Sequence, residues 1–149
     1  MSRTPEPISI RPAKADDYNR LRALWSAAGL SIRPTGRDSR EAWIAQLAHF
    51  PTLYLVAEAD GGIVGSVLGT HDWRKGWINR LVVHPDYRRR GLGQRLIATC
   101  ESALVELGIE IHAAMIEEGN DASVAVFEKA GYAADVPVHY YRKRIREDI

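Results

Sequence analysis

Apolar side chains recur along this chain at two different spacings, and the spacing switches several times between its two ends. Intervals of three and four residues place apolar side chains on one face of a helix, whereas short runs rich in β-branched and aromatic residues indicate strands. Helical spacing covers four segments, 16–28, 38–50, 93–107 and 122–130. Strand-like runs cover seven segments, 8–11, 52–59, 63–70, 77–83, 109–116, 132–136 and 138–144. The predicted order of elements is therefore β-α-α-β-β-β-α-β-α-β-β.

The connections between these segments define the fold class. Asp60-Gly61-Gly62 is a tight turn between the second and third strands, which predicts an antiparallel hairpin. The strand-helix-strand succession in the middle of the chain needs at least one parallel pair. We therefore expect an α+β fold with a mixed, mostly antiparallel seven-stranded sheet and four helices. No linker or repeat interrupts the 149 residues, which predicts a single domain over residues 1–149 with a loose tail at 1–7.

The stretch Leu81–Leu96 carries the strongest chemical signal. Its apolar strand leads through a Pro-containing turn to three consecutive arginines, Arg88 to Arg90, and then through Gly91 and Gly93 into a helix. Backbone N–H groups and the positive end of the helix dipole converge at such a turn, which predicts a site for a phosphate group. Two other interpretations of the arginine run are a solvated surface patch and a clamp for nucleic-acid phosphates.

The overall charge argues against the nucleic-acid interpretation. The chain has 20 Lys and Arg against 19 Asp and Glu, a formal net charge of +1, which gives no general reason to expect nucleic acid or an anionic membrane as a partner.

Cys100 is the only cysteine and lies on the apolar face of a predicted helix, which is typical of an inert buried thiol. No spacing of His, Cys and Asp suggests a metal. The N-terminus lacks the apolar core of a signal peptide, so we expect a cytoplasmic protein.

Within this element order, three local patterns resemble the GNAT superfamily of acyl-CoA-dependent N-acetyltransferases. Arg88-Arg89-Arg90-Gly91-Leu92-Gly93 fits the family's Q/R-x-x-G-x-G/A signature, and Leu81-Val82-Val83-His84-Pro85-Asp86-Tyr87 is a common lead-in to it. Asn120 with Ser123, followed by Phe127-Glu128-Lys129-Ala130-Gly131-Tyr132, resembles the family's second block. Together with the element order, the resemblance covers roughly residues 8–145.

The resemblance implies that acetyl-CoA is the co-substrate and binds where the fourth and fifth strands separate. Backbone groups of Leu81 and Val83 would pair with the pantetheine arm, and backbone N–H groups from Arg89 to Gln94 would hold the pyrophosphate. Side chains of Arg88, Arg89, Arg90 and Arg95 would add positive charge. The implied cofactor site comprises Leu81, Val82, Val83, Arg88, Arg89, Arg90, Gly91, Leu92, Gly93, Gln94, Asn120, Ser123 and Phe127. Asn120 also suits the cap of the last helix.

The chain departs from the family pattern at Phe127. The family often has a tyrosine there, whose hydroxyl protonates the leaving thiolate, and phenylalanine has no proton to donate.

The identity of the general base is open as well. Glu117 and Glu118 are the acidic candidates, acting through a water or else remaining solvated loop carboxylates, and His71 and Asp72 come next. Two functions remain open: direct transfer of acetyl to a primary amine in a ternary complex, and a non-catalytic acyl-CoA-binding sensor or regulatory module.

The acceptor is expected opposite the cofactor, over the loop between the first two helices and the last two strands. Candidate lining residues are Arg33, Arg37, Trp73, His139, Tyr140 and Tyr141. Two arginines suit a carboxylate-bearing acceptor such as an amino acid or a peptide end. The sequence decides neither which amine is acetylated nor whether two copies form a homodimer.

Overall fold

The computed structural model describes residues 7–149, so nearly all of the predicted N-terminal tail lies outside the described residues. Within this range the strands are β1 (Ser9–Pro12), β2 (Tyr54–Ala59), β3 (Gly62–His71), β4 (Gly76–Val83) and β5 (His112–Ala113). The α-helices are α1 (Tyr18–Ala27), α2 (Arg40–His49), α3 (Leu92–Glu106) and α4 (Asp121–Lys129). Single turns of 3-10 helix precede α1 at Ala15–Asp17 and follow β4 at Pro85–Tyr87. None of the helices in residues 7–149 is long and apolar enough to cross a membrane.

The strands form one mixed sheet in the order β1-β2-β3-β4-β5. The first four strands pair antiparallel. β5 pairs parallel to β4, with Gly76 opposite His112 and Trp77 opposite Ala113. Because parallel neighbours need a crossover, α3 makes the connection between them. The predicted α+β class, mixed sheet and four helices are confirmed.

The expectation of a seven-stranded sheet is not confirmed, because the described residues form five strands. The segments 132–136 and 138–144 form no ladder, and β5 is two residues long instead of extending over 109–116. A strand is stabilised by a hydrogen-bonded neighbour, and β5 offers the C-terminal segments only a very short one. Val138, Tyr140 and Tyr141 are 71%, 71% and 89% exposed, so the apolar pattern of this segment is not matched by a surface that buries it.

Helices cover both faces of the sheet, which explains the continuous apolar runs of β2 and β3. On one face, α3 contributes Leu96 to a core that includes Leu55 of β2. On the other face, α1 and α2 contribute Trp25 and Trp43 to a core that includes Tyr54. Neighbouring residues of β2 therefore point into different cores, as the pleat of a strand requires.

β4 contains one residue more than the part of β3 that it pairs with. Val67 of β3 lies opposite both Arg80 and Leu81. Arg80 accommodates the extra residue with a φ of +50°, in the left-handed region that side chains other than glycine rarely adopt. Its guanidinium lies over the indole of Trp25, with Cζ 5.0 Å from the ring centroid. This bulge directs a charged side chain toward the face covered by α1 and α2.

Two aspartates that lie just before helices are buried in ion pairs and do not cap those helices. Asp17 is fully buried, and its carboxylate oxygens each accept a hydrogen bond at 2.7 Å from an arginine. Asp38 is 4% exposed and faces the sheet. The residue that caps α2 is Ser39, whose Oγ accepts from the N–H of Ala42 at 3.2 Å.

Candidate active site

β4 and β5 separate soon after they meet. Their pairing ends at Ala113, and residues 114–120 lead from there to α4. β4 continues to Val83 with β3 on one side, while no strand in residues 7–149 pairs with its other side beyond Trp77. Leu81, Val82 and Val83 therefore lie along an open edge. The free N–H and C=O groups of such an edge can bond to an extended ligand as a neighbouring strand would.

The end of β4 leads into a loop of unpaired amides. Arg89 and Gly91 have φ values of +64° and +75°, and α3 begins at Leu92. Six consecutive backbone N–H groups, from Arg89 to Gln94, make no hydrogen bond to any part of the chain that the structure describes. Consecutive amides around left-handed residues form a concave anion site, and the dipole of α3 adds positive potential. The loop can therefore bind a phosphate group through its backbone.

The arginine side chains of this loop are partly engaged by the protein. Arg88 Nε donates to the carbonyl of Val83 at 3.2 Å, and Arg90 Cζ lies 5.1 Å from the ring centroid of Tyr87. Arg95 Nη2 donates to a backbone carbonyl just before β1 at 2.9 Å. These three arginines remain exposed, so they hold the loop in place and keep positive charge around the free amides.

Contacts between the start of α3 and α4 hold the loop in position. A Cβ at Gly93 would lie 3.3 Å from Val126 Cγ1, so glycine permits the close approach of α3 and α4. Gln94 Nε2 donates to the Val126 carbonyl at 2.7 Å, and Leu92 is buried in the core. The side chains thus fix the helix start while its first amides stay available.

The second sequence block lies at the start of α4. Asn120 Oδ1 accepts from the N–H of Ser123 at 3.2 Å, so the predicted cap is present. The side-chain NH2 group of Asn120 donates to none of the described residues and is available to a ligand. Glu117 and Glu118 are exposed in the loop that joins β5 to α4. The carboxylates and the Asn120 amide thus lie on one short segment beyond the strand separation.

In the core beside this segment, neither Tyr132 nor Cys100 is available as a free acid or nucleophile. Phe127 is 5% exposed and packs against Tyr132, whose hydroxyl donates to Glu101 Oε2 at 3.0 Å. Burial, followed by this hydrogen bond, raises the pKa of Tyr132 above its ordinary value, so the hydroxyl keeps its proton. Cys100 is fully buried, and burial raises the pKa of its thiol to about 12. The thiol is therefore inert, as the sequence predicted.

A second polar site lies on the opposite face of the sheet, between α2 and β4. A cavity of about 290 Å³ is lined by Arg37, Asp38, Ala42, Gln46 and Arg80. Asp38 Oδ1 lies 2.9 Å from Arg80 Nη1, and Asp38 Oδ2 accepts from the backbone N–H of Arg33 at 2.7 Å. Arg37 Nε lies 3.9 Å from Oδ2. The structure thus brings Arg33 and Arg37, both predicted acceptor residues, together around one buried carboxylate.

The other predicted acceptor residues do not line this cavity. Trp73 is 74% exposed in the turn between β3 and β4, where its ring centroid lies 4.5 Å from that of His71. Tyr140 is 71% exposed in the C-terminal segment, and its neighbours His139 and Tyr141 are exposed as well.

Arg80 was not among the residues predicted from the sequence, although it forms one wall of the cavity. The signal that could have identified it is the polar pair Asn79-Arg80, which interrupts an otherwise apolar strand. Without the bulge, the alternation of strand residues does not show which face Arg80 occupies.

Together, the sheet and the open strand edge define a class of protein. It is an α+β protein that can hold an extended, phosphate-bearing ligand where two parallel strands separate. Residues 18–132 match the acetyltransferase (GNAT) family. The chain belongs to that family and is an acetyltransferase, as the resemblance implied.

Relatives and solved structures agree with this assignment. An acetyltransferase of Sodalis glossinidius (strain morsitans) is 36% identical over 141 residues, which are 95% of this chain and 98% of the relative. Aminoglycoside N-acetyltransferase AAC(6')-Iy, in complex with the bisubstrate analog CoA-S-monomethyl-acetylneamine, has a TM-score of 0.76 at 21% identity, covering 93% of this chain and 99% of that one. The PaiA N-acetyltransferase from Thermoplasma acidophilum, in complex with coenzyme A, has a TM-score of 0.74 at 19% identity, covering 87% and 91%. At these identities the two structures establish the shared fold.

Proposed function

We propose that this protein transfers an acetyl group from acetyl-CoA to a primary amine on a small molecule, an amino acid or a protein N-terminus. The observation that carries the proposal is the run of unpaired N–H groups from Arg89 to Gln94, next to the open edge of β4. The first feature suits a pyrophosphate, and the second suits the amide-containing pantetheine arm. One ligand, an acyl-CoA, satisfies both.

The proposed contacts fall into three groups along the cofactor. The backbone from Leu81 to Val83 binds the pantetheine arm, and the backbone from Arg89 to Gln94 binds the pyrophosphate. The NH2 group of Asn120 reaches the arm from the side of α4, and Phe127 packs near the sulfur. The complete proposed set is Leu81, Val82, Val83, Arg88, Arg89, Arg90, Gly91, Leu92, Gly93, Gln94, Asn120, Ser123 and Phe127.

The reaction is a direct displacement in a ternary complex. The amine nitrogen attacks the acetyl carbonyl carbon, a C–N bond forms, the C–S bond breaks, and CoA leaves as its thiolate. Backbone N–H groups near Val83 polarise the carbonyl oxygen while it carries negative charge. An acyl-enzyme route through Cys100 is disfavoured because that thiol is buried and protonated.

Two protons must move in this reaction. The acceptor ammonium loses one before the neutral amine attacks, and Glu117 or Glu118 accepts it through a water molecule. The departing thiolate gains one, and Phe127 cannot supply it. A thiol with a pKa of about 8.5 is a fair leaving group without an acid, so solvent protonates the thiolate after release.

The solved structures of similar fold support an amine acceptor. AAC(6')-Iy is held in complex with a bisubstrate analog that joins CoA to acetylneamine. We propose the same arrangement for this chain, with the cofactor on one side of the acetyl group and the amine on the other.

Ligand binding and turnover test the proposal separately. Acetyl-CoA at 100 times its Kd should stabilise the native state by about 2.7 kcal/mol and raise Tm, since it binds the folded form alone. Arg89→Glu, which puts negative charge at the amides, should weaken that shift. Arg22→Glu makes the same charge change on an exposed part of α1 and should not. No Tm shift with the unaltered protein would contradict the site.

A panel of primary amines with acetyl-CoA, followed by thiol release, tests turnover. Release that depends on both substrates, with the acetylated amine found by mass spectrometry, is the expected result. Binding of acetyl-CoA without acetylation of any amine would favour the sensor or regulatory alternative instead.

A further inference from the structure

We infer that the cavity between α2 and β4 selects acceptors that carry a carboxylate, amines of the α-amino acid class, and that Arg80 and Arg37 bind that carboxylate. The inference rests on the proposed N-acetyl transfer and names the acceptor class for it. Its basis is a guanidinium whose hydrogen-bonding groups are only partly used by the protein.

Arg80 has two buried nitrogens without a partner. Nη1 lies 2.9 Å from Asp38 Oδ1, whereas Nε and Nη2 are buried and bond to none of the described residues. Nε and Nη2 lie on one edge of the guanidinium and form the fork that matches the two oxygens of a carboxylate. A buried donor without an acceptor is unfavourable, so a carboxylate that reaches this edge is favoured. Both nitrogens are covered in this structure, so binding requires this edge of the guanidinium to be uncovered.

The backbone holds Arg80 in place under strain. Its φ of +50° lies at the bulge of β4, and such outliers are found at binding sites more often than elsewhere. Trp25 covers one face of the guanidinium with Cζ 5.0 Å from the ring centroid, and Asp38 holds one end. The plane and the free edge of the guanidinium are thereby fixed before a ligand arrives.

Positive charge surrounds the cavity. Arg37 lines it, and Arg33 adjoins it through the backbone contact with Asp38. The charge of Arg142, followed by burial and the charges of Arg33 and Arg37, lowers the pKa of Arg144. The same C-terminal segment brings the backbone of Asp148 against Gly36, so the charge that we assign to the cavity itself is that of Arg37 and Arg80. Asp38 is the one carboxylate of the lining, and both of its oxygens are already bonded.

This arrangement favours one acceptor chemistry over another. A carboxylate gains paired hydrogen bonds from Arg80 and attraction from Arg37, whereas a polycationic amine is repelled. The cavity, at about 290 Å³, is near the lower end of the range for small-molecule pockets, about 300–1,000 Å³. An amino acid fits this size, and the acceptor class therefore differs from the neamine named for AAC(6')-Iy.

The experiment compares acids with their amides. Common L-amino acids and the corresponding α-carboxamides are assayed with saturating acetyl-CoA by thiol release. Loss of a charge-assisted bidentate pair corresponds to about tenfold or more, so kcat/KM for an acid should exceed that for its amide by at least about tenfold. Linear polyamines are included as the opposing class.

Two variants and a control locate the effect. Arg37→Gln should raise KM for the acids and leave KM for the amides unchanged. Arg80→Lys keeps the charge next to Asp38 and removes the fork, and it should reduce the preference for acids in the same way. Arg22→Gln, on the exposed part of α1, should leave the preference intact. Near-normal Tm shifts with acetyl-CoA show that the variants are folded.

The outcomes separate this inference from the proposed function. Equal kcat/KM for acids and amides, or a preference for polyamines, overturns the carboxylate inference and leaves N-acetyl transfer standing. If acetyl-CoA binds but no amine is acetylated, the proposed function fails. Calorimetric titration of the same acids and amides into CoA-saturated protein then decides the inference, because acid-selective binding lost in Arg37→Gln supports it and unselective or absent binding overturns it.

Discussion

The ring of Phe127 meets the ring of Tyr132 edge-on, with centroids 5.2 Å apart and planes at 86°. The Tyr132 hydroxyl is in turn directed to Glu101. The hydroxyl of the tyrosine whose ring packs against Phe127 is therefore already occupied, and it keeps its proton because burial and Glu101 raise its pKa. The leaving thiolate of the proposed reaction has no side-chain acid at position 127.

Phe127→Tyr should raise kcat if thiolate release limits turnover. A positioned acid contributes about 10²–10⁴ to the rate of a step that needs it, so we expect an increase of about tenfold or more. The new hydroxyl enters a nearly buried position, which should lower stability by about 1–3 kcal/mol where it finds no partner. Stopped-flow thiol release measures the first effect and urea unfolding the second.

Phe127→Leu is the control for the first variant. It removes the ring without adding an acid, so kcat should not rise. An unchanged kcat in Phe127→Tyr would show that protonation of the thiolate does not limit the reaction.

Asp17 should make the stability of the protein depend on pH in the acidic range. Burial alone would raise its pKa, but hydrogen bonds from Arg11, the Lys14 N–H and Arg20 lower it from 3.8 to about 2. A carboxyl with a lowered folded-state pKa stabilises the native state above its unfolded pKa, and the contribution is lost as pH falls from about 4 to about 2. The contribution is about 2 kcal/mol.

Asp17→Asn removes that contribution, so its unfolding free energy should fall less steeply between pH 4 and 2, as measured by urea titration at several pH values. Glu58→Gln is the matched control, since Glu58 shares the same two arginines but its side chain is 31% exposed. Glu58→Gln should keep most of the pH dependence of the unfolding free energy between pH 4 and 2. A slope in Asp17→Asn equal to that of the unaltered protein would contradict the assignment.

Local patterns were sufficient to predict much of this fold and one part of the candidate site. The stretch Leu81–Leu96 was predictable because its strand, its glycines and its helix are neighbours in sequence, and the loop of free amides depends on them alone. The prediction of strands at 132–136 and 138–144 was wrong, because a strand depends on a partner that the local sequence does not reveal. The expected partner, β5, pairs over only two residues.

Asp38 and Arg80 show why the cavity between α2 and β4, the other part of the candidate site, was not predicted. A short acidic residue before a helix suits a cap and an ion pair equally well, and only the fold shows that Arg80, far away in sequence, is its partner. The bulge that directs Arg80 arises from a mismatch between β3 and β4, which neither strand reveals alone.

Arg80 and Asp38 should be strongly coupled energetically. Arg80→Met leaves a carboxylate that is 5% exposed without its main partner, and we expect a loss of about 3 kcal/mol. Asp38→Asn alone should also destabilise, whereas the double variant should lose clearly less than the sum because no uncompensated charge remains. Urea unfolding of the four proteins measures the coupling, and additive losses would contradict it.

Gly69 and Cys100 should also be coupled, in this case through steric contact. A Cβ on Gly69 would lie 2.7 Å from Cys100 Sγ, so Gly69→Ala overpacks the contact between β3 and α3. We expect a loss of about 1–3 kcal/mol in unfolding free energy. Cys100→Ala removes the sulfur, so the double variant should be more stable than Gly69→Ala alone. A Gly69→Ala protein that loses nothing, or that Cys100→Ala destabilises further, would show that the helix shifts instead of resisting the added methyl group.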